Sequence, residues 1–551
     1  MRRGIVFSKK RALVIVLLAV FMLSLVGCDG GQKQPEAGGT PEAPDTVDSK
    51  YGGTLRFPLD QDPPGIDVQQ SSMLETYSLG RLIYSTLVRY KDDTTEMETE
   101  LIEKMPDISP DGLVYNFKLK PDIKFSDGTP LTSKDVKYTF ERMLKPETKA
   151  VNQWVFDIIV GAEEVQNGVT QELAGFKIKD DLQFEITLKE AYGPFIQNLA
   201  VACSSIYPAE AASKAGDDWR LNPIGTGPYK IAEWAHDQYI LLEKNPYYFE
   251  KGLPYIEFIR RDIMPDEATM TMEFENGNVD ILTVPDTEYP RLTADENFKH
   301  MLVETTPLNS YYYSTNFNVK EFQDKRVRLA IAHAIDNEKI LTELLNDAGV
   351  ISKGILGPGI PGFNPDNPGF EYNPEKAKQL LAEAGYPNGF KIENWQSKSE
   401  TFYRRNIAIQ AMLKEIGIDM EIQQMDPASW RQARAEGNIP LHLGNWWADI
   451  PDPDNYMYTL LHSSQNPLRS LHYVNPKVDE LIMKARGLSD MNERIKLYKE
   501  AEKIAIYEDV ALIPLFHIKE YYIVQPHVKN VKFTPLGVGT YNFRTMWLEK
   551  K

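Results

Sequence analysis

The chain has 551 residues, 42% hydrophobic and 25% charged, which is globular composition in a chain too long for one compact core. The first 27 residues hold five of the 61 basic groups and none of the 79 acidic ones, so the remainder carries 56 against 79, a net charge of -23. So negative a chain argues against nucleic acid and anionic lipid as partners.

The N-terminus begins with a short basic segment and continues as an apolar run. Residues 12–26 are apolar except for Ser24, which suits the hydrophobic part of a signal peptide and is short for a membrane span. The run ends in Leu-Val-Gly-Cys at residues 25–28. This resembles the bacterial lipobox, in which lipid is added to the cysteine and the peptide is cut just before it. We therefore predict a signal peptide over residues 1–27 and a stable anchor of at least two acyl chains, such as palmitate, on Cys28.

Residues 28–50 form the next segment, which is rich in Gly, Pro, Glu, Asp and Thr. This composition predicts a flexible tether that holds the folded part off the membrane. The other cysteine, Cys203, would then have no disulfide partner, and we expect it to be a small buried apolar residue.

The first half of the folded part, beginning near Tyr51, shows alternating apolar residues that predict strands. Helical spacing of apolar residues predicts two helices, the second with Ser133 as its N-cap. The predicted strands are Thr54–Leu59, Leu113–Lys120 and a hairpin over Phe176–Leu188, and the predicted helices are Met73–Val88 and Ser133–Leu144.

The second half is richer in helices, with short strands between them. Helices that alternate with short strands indicate an α/β domain. The predicted helices are Arg326–Leu345, Pro374–Ala384, Phe402–Ile416, Pro427–Glu436 and Asn492–Tyr507, and the strands include Met420–Gln424 and Leu441–Trp446.

Motifs of enzymes and metal sites are few. The glycines of residues 357–362 match a dinucleotide fingerprint, but two prolines there remove backbone donors that a pyrophosphate needs, so we interpret this segment as a loop. Asp449, Asp452 and Asp454 resemble part of a calcium loop without its glycine and final glutamate. We predict no enzyme activity, no cofactor and no metal.

Four segments carry a family resemblance, and they follow one another along the chain. They are Ser109–Val136 (SPDGLVYNFKLK, then IKFSDGTPLTSKDV), Asn222–Lys230 (NPIGTGPYK), Asp324–Ile340 (with RVRLA and AID) and Ala384–Phe390 (AGYPNGF). Together they resemble the family 5 solute-binding proteins of ABC importers, which bind oligopeptides, dipeptides and nickel complexes.

The residues of these segments are predicted to be structural, and so they identify the fold and not the ligand. Gly112, Gly128 and Gly227 suit turns with positive φ. Phe125 and Phe140 are expected to lie in the core.

The resemblance implies a two-lobed α/β fold, the periplasmic-binding-protein-like fold of the large cluster C type, with a subdomain inserted in the first lobe. We place lobe I at residues 51–307 and 517–551, its insert at about 93–204, and lobe II at 308–516. Ligand binds between the lobes, which close around it, and the closed monomer then docks on the permease subunits of the importer.

Residues 443–454 (LGNWWADIPDPD) carry the predicted site. They resemble the peptide-binder pattern of an aromatic residue, two further residues and an aspartate, which pairs with the α-ammonium of the peptide. Here that aspartate is Asp449, and Trp446, Trp447 and Ala448 are the other predicted ligand contacts. Alternation along a strand sends the two tryptophans to opposite faces, and the resemblance favours Trp446 as the one that lines a side-chain pocket.

Asp452 and Asp454 are interpreted as turn residues. Tyr311, Tyr312 and Tyr313 are candidate wall residues, and Met301–Thr305 and Ser310–Asn318 could offer strand edges to a peptide.

Two positions depart from the family pattern. Leu443 stands where some oligopeptide binders carry an arginine, and residues 397–399 (SKS) replace an arginine of dipeptide binders. A longer peptide, or one of variable length, therefore fits better than a dipeptide. The alternative is another solute on the same fold, such as a nickel complex, an oligosaccharide or an opine.

Overall fold

The computed structural model describes residues 49–536 and 543–550. The predicted signal peptide, Cys28 and all but the last two residues of the predicted tether lie outside these residues. Within the described ranges, no helix has the length and apolar character needed to cross a bilayer.

Strands and helices alternate over most of the described chain. The strands are Thr54–Arg56 (β1), Val88–Tyr90 (β2), Met97–Thr99 (β3), Asp107–Ile108 (β4), Val114–Lys118 (β5), Phe176–Ile178 (β6), Gln183–Thr187 (β7), Tyr229–Ala235 (β8), Tyr239–Lys244 (β9), Phe258–Asp262 (β10), Ile281–Thr283 (β11), Leu302–Thr305 (β12), Asn309–Thr315 (β13), Gly349–Ile351 (β14), Phe390–Ser397 (β15), Ile418–Met425 (β16), Leu441–Trp447 (β17), Leu512–Ile518 (β18), Glu520–Val524 (β19), Val528–Lys529 (β20) and Trp547–Leu548 (β21).

The helices are Leu74–Ile83 (α1), Ser133–Leu144 (α2), Ala162–Gln166 (α3), Phe195–Asn198 (α4), Ala209–Ala215 (α5), Glu267–Glu275 (α6), Tyr289–Ala294 (α7), Lys325–Ala334 (α8), Asn337–Lys339 (α9), Pro374–Glu383 (α10), Glu400–Glu415 (α11), Pro427–Ala435 (α12), Pro453–Leu461 (α13), Pro476–Arg486 (α14) and Met491–Glu502 (α15).

Lobe I contains a four-stranded sheet in the order β1-β10-β9-β8 and a three-stranded sheet in the order β11-β19-β12. Only the β1–β10 pair of the first sheet is parallel. Leu55, Ile259 and Leu242 come from neighbouring strands of that sheet and are fully buried, so one face of the sheet supplies the core of the lobe.

The inserted subdomain has its own sheet, β4-β5-β7-β6, and its own aromatic core. Phe117 of β5 lies opposite Phe184 of β7, with ring centroids 5.1 Å apart. Phe140 of α2 covers this pair through Phe176, at 5.6 Å. The predicted hairpin and the buried Phe125 and Phe140 are therefore confirmed.

Lobe II is built on a sheet in the order β14-β18-β13-β17 and on the parallel pair β15-β16. Apolar cores lie on both faces of the larger sheet. The chain passes from the β11-β19-β12 sheet to this sheet between β12 and β13, and it returns between β18 and β19. Asn309 joins these crossings, because its side chain donates to the carbonyl of Ile518 at 2.9 Å and accepts from the Ile518 N–H at 2.9 Å.

The prediction of one continuous helix over residues 326–345 is wrong, because the helix is interrupted near its middle. Helix α8 ends at Ala334, Ile335 is extended, and Asp336 accepts from the Lys339 N–H at 3.0 Å to start the next turn. The apolar spacing continues across this break, but the side chain of Asp336 competes for the backbone donors.

Helix α2 begins as predicted at Ser133, but its N-cap is Thr132, which forms a capping box with Asp135. Positive φ is confirmed at Gly112 (73°) and Gly128 (89°) and is wrong at Gly227. A Cβ atom at Gly227 would lie 2.5 Å from the carbonyl carbon of Ile83, so close packing against α1 explains that glycine.

The segment Ser310–Asn318 does not offer the strand edge that we expected. Strand β13 pairs with β17 on one side and with β18 on the other, so the edge belongs to β17. Tyr311, Tyr312 and Tyr313 are at most 5% exposed, which makes them part of the interior of lobe II instead of an open wall.

Candidate ligand-binding site

Asp449 follows the end of β17, at the side of lobe II that faces lobe I. Its backbone N–H donates to Oδ1 of Asn455 at 3.1 Å, and Nδ2 of Asn455 donates to Oδ2 of Asp449 at 3.4 Å. Asn455 lies in the first turn of α13, which Asp452 caps and Pro453 begins. The short turn between strand and helix thus fixes the position of the carboxylate.

The side chain of Asp449 is exposed to water, although many protein atoms lie around its carboxylate. This burial raises the pKa of Asp449, and the amide of Asn455 and the charge of Arg469 only partly oppose it. In the described part of the chain, no cation lies within 4.0 Å of Asp449. A solvent-accessible carboxylate in a cleft that has no cation beside it is suited to bind an ammonium group.

Lobe I lies directly across from this carboxylate. Burial, followed by the negative charge of Asp449, raises the pKa of Cys203 to about 12. The same charge is one of the causes, after burial and Cys203, that raise the pKa of Tyr77 on α1. Since Tyr77 and Cys203 belong to the first lobe, Asp449 faces the cleft between the lobes. Cys203 is fully buried, as predicted.

The other predicted contacts surround the same turn. Nε1 of Trp446 donates to Oδ1 of Asn455 at 2.8 Å, and the side chain is half-buried. Trp447 pairs in register with Asn309, next to the crossing between lobes. Ala448 is 9% exposed, and its N–H donates to the carbonyl of Leu308 at 2.8 Å.

Asp452 has a different environment. It is fully buried, and its two oxygens accept from the two terminal nitrogens of Arg494, each at 2.7 Å. Gln197 of the inserted subdomain also donates to it at 3.2 Å.

Asp454 is closed off in a similar way. It accepts from Arg486 at 2.8 Å, from Tyr498 at 3.0 Å and from Tyr192 of the inserted subdomain at 3.3 Å. Ile450 completes this contact between the lobes by packing into the core of the subdomain. The hydrogen bonds of Asp452 and Asp454 join different segments of the protein. They occupy the carboxylate oxygens that a ligand would need.

A cavity of about 430 Å³ lies between lobe I and helix α11. Lobe I supplies most of its wall, including the carboxylates of Asp60, Glu75 and Asp286, and lobe II supplies Thr401 and Arg404. Burial raises the pKa of Glu75, and a hydrogen bond with Asp60 raises it further. Glu75 lies on α1, the helix of lobe I that also carries Tyr77, so the cavity and Asp449 adjoin the same helix.

Asn455, which organises both Trp446 and Asp449, was not predicted. Nothing in the local pattern distinguishes it from any other polar residue in the first turn of a helix. Across the described ranges, no three His, Cys, Asp or Glu side chains gather as metal ligands would.

Two lobes joined by two crossings, with a cleft between them, are the architecture of a solute-binding protein. Residues 96–467 match the family described as Bacterial extracellular solute-binding proteins, family 5 Middle. The chain belongs to this family of extracytoplasmic binding proteins, which confirms the predicted family and fold and the absence of an enzyme activity.

Similar proteins cover nearly the whole chain. Heme-binding protein A of Haemophilus influenzae is 29% identical over 95% of this chain and 97% of its own. Oligopeptide-binding protein AppA of Bacillus subtilis is 28% identical over 98% of this chain and 100% of its own. Among solved structures, the ABC transporter-associated periplasmic binding protein DppA from Helicobacter pylori, in complex with the peptide STSA, is 29% identical, has a TM-score of 0.77 and covers 91% of this chain and 99% of its own.

Proposed function

We propose that this protein is the substrate-binding receptor of an ABC importer and that it captures peptides, with oligopeptides as the preferred class. The observation that carries the proposal is Asp449, a carboxylate that faces the cleft without a cation of its own. The α-ammonium of a peptide supplies the missing positive charge. The similar proteins that are named for peptides, AppA and DppA, support this ligand class.

In this proposal the lobes close around the peptide by bending at the crossings β12–β13 and β18–β19. The predicted limits of lobe II, residues 308 and 516, lie at or close to these crossings. Asn309, which connects both strands, is placed to keep them in register during the movement.

Trp446, Trp447 and Ala448 form the wall of the ammonium site, and the rest of the peptide extends into the cavity beside α11. Roomy, wet pockets of this kind give broad side-chain specificity, since waters complete the hydrogen bonds. The closed receptor then delivers its peptide to the permease subunits as a monomer.

We also propose that the protein is held at the outer face of the cell membrane by lipid on Cys28, with residues 28–50 as a tether. The lipobox-like sequence at residues 25–28 supports this attachment. Labelling with a radioactive fatty acid tests it, because Cys28→Ala should abolish the label and release the protein from membranes.

A second ligand class on the same fold is favoured by one observation, the 29% identity to a heme-binding protein over nearly the whole chain. Native mass spectrometry of the purified protein, followed by denaturation, separates the two. Mixed peptides released on denaturation support the peptide receptor and reveal their length. A non-peptide solute in place of peptides contradicts it.

A further inference from the structure

A loop of the inserted subdomain touches lobe II, in addition to the two crossings that connect the lobes. This loop, residues 191–197, follows β7 and continues into the short helix α4, and we call it the subdomain loop. It contacts the start of α13 and the end of α14, which belong to lobe II. The lobes are therefore joined by two covalent crossings and also by a contact that has no covalent connection.

Two side chains of the subdomain loop donate hydrogen bonds to aspartates of lobe II. The hydroxyl of Tyr192 donates to Asp454 at 3.3 Å, and Nε2 of Gln197 donates to Asp452 at 3.2 Å. Burial, followed by the charge of Asp454, raises the pKa of Tyr192, so its hydroxyl keeps the proton that it donates. The guanidinium of Arg486 lies 4.9 Å from the ring centroid of Tyr192. Tyr192 is thus enclosed by groups of the opposite lobe.

Gly193 shows how closely the two lobes approach each other at the subdomain loop. Its backbone N–H donates to the carbonyl oxygen of Arg486 at 2.8 Å. A Cβ atom at this position would lie 2.5 Å from the carbonyl oxygen of Leu488 and 3.2 Å from the guanidinium carbon of Arg494. Leu488 and Arg494 both belong to lobe II. A side chain at position 193 would therefore obstruct the contact between the lobes.

Apolar packing adds to this contact. Ile450, in the turn between β17 and α13, is 1% exposed, and it lies in the hydrophobic core of the inserted subdomain. Because Ile450 belongs to lobe II, separation of the lobes would return this side chain to water, which is unfavourable. The protein itself therefore favours the arrangement in which the lobes are together.

The same turn carries the predicted ammonium site. Asp449 directly precedes Ile450, and Asp452 and Asp454 follow within four residues. The subdomain loop contacts these last three residues, and none of the contacts described above involves Asp449. The loop thus stabilises the closed arrangement through protein groups that are separate from the carboxylate proposed to bind the ligand.

We propose that the subdomain loop is a latch, which holds the lobes together through protein contacts alone and so sets the affinity for every ligand of the receptor. A ligand that binds only the closed arrangement has an apparent affinity proportional to the fraction of closed protein. A weaker latch lowers that fraction, and it lowers the affinities of chemically different ligands by the same factor. The inference rests on the proposed closure of the lobes around a ligand, but it does not require that the ligand is a peptide.

Hydrogen exchange at single-amide resolution, on the full chain without added ligand, tests the latch. The amide of Gly193 is protected by the carbonyl of Arg486 only while the lobes are together. Tyr192→Phe removes a bond between the lobes and should accelerate exchange of this amide about fivefold. Tyr498→Phe is the matched control, because Tyr498 donates to the same Asp454, at 3.0 Å, from within lobe II. The control should leave the exchange of the Gly193 amide unchanged.

Calorimetry with two peptides of different chemistry, Ala-Ala-Ala-Ala and Ala-Lys-Phe-Ala, tests the effect on binding. Tyr192→Phe should weaken the binding of both peptides about fivefold. Gly193→Ala should weaken both about tenfold or more, because its Cβ atom obstructs closure. Tyr498→Phe should leave both affinities within about twofold of the wild type. Gln197→Leu removes another bond between the lobes and serves if Gly193→Ala does not fold.

The possible results separate the latch from the proposed function. Faster exchange at Gly193 in Tyr192→Phe, together with equal losses for the two peptides, supports the latch. Unchanged exchange at Gly193 in this variant overturns the latch and leaves the receptor function standing. A loss for one peptide alone would make Tyr192 a ligand contact and would also overturn the latch. If neither peptide binds to the wild type, the peptide ligand of the proposed function fails, and exchange at Gly193 still decides whether the latch exists.

Discussion

Asp449 and Asp452 lie three residues apart in the same turn, and they have opposite environments. Asp452 is fully buried and closes a two-nitrogen ion pair with Arg494, with both distances at 2.7 Å. Asp449 is open to water and has no cation within 4.0 Å in the described chain. One carboxylate is satisfied by the protein itself, and the other is held in place without a partner.

The difference teaches how to distinguish a structural carboxylate from a binding one. Both are aspartates near a proline, and both cost free energy to take out of water. What separates them is whether the fold supplies the compensating charge. The predictions below test this distinction from the largest expected effect to the smallest.

Asp452→Ala should destabilise the protein by about 3–5 kcal/mol, because it leaves Arg494 buried without its anion. Urea unfolding followed by circular dichroism measures this loss. Asp449→Ala is the matched control and should change the free energy of unfolding by less than about 0.5 kcal/mol. Equal losses in the two variants would remove the distinction between the carboxylates.

Asp449→Ala should instead weaken peptide binding by about 2–5 kcal/mol, the range for removing one partner of an enclosed charge pair. Calorimetry with a peptide and its N-acetylated form isolates the cause. Acetylation should weaken binding strongly to the wild type and only slightly to the variant. Unchanged affinity in the variant would contradict the assignment of Asp449 and leave the receptor itself standing.

Asn455→Ala should have a smaller effect, about 1 kcal/mol on peptide affinity, since it removes the hydrogen bonds that orient Asp449 and Trp446. Calorimetry measures the change against Asn438→Ala, an exposed asparagine outside the site, as the control. If both variants bind like the wild type, Asn455 does not position the carboxylate.

Much of the fold follows from local pattern. The alternation of Phe184 and Ile186 predicts their strand, and Pro374 after Asn373 predicts the start of a helix, because these signals depend only on neighbours in sequence. The order of strands in a sheet depends on contacts between distant segments. For that reason the position of β13 between β17 and β18 was not predictable. The predicted edge at Ser310–Asn318 is wrong, whereas the predicted segment Met301–Thr305 contains β12, which lies at the edge of its sheet.

The site is predictable only in part, for the same physical reason. The resemblance indicates Asp449, whose assignment stays a prediction, but no sequence pattern shows that Asp452 meets Arg494, 42 residues further on.

The smallest expected effect is a dependence of binding on pH. An ammonium binds Asp449 only when the carboxylate is ionised, and burial raises the pKa of Asp449 in the free protein. Protonation therefore competes with the ligand at a higher pH than for an exposed aspartate, whose pKa is about 3.9. As the pH falls from 7 through this raised pKa, affinity should fall; as the pH rises above it, affinity should level off.

Asp449→Asn removes the titrating group, so its weaker affinity should stay flat over the same range in calorimetry. A wild type that shows no decline on acidification while the ligand ammonium stays charged would mean that Asp449 does not bind it.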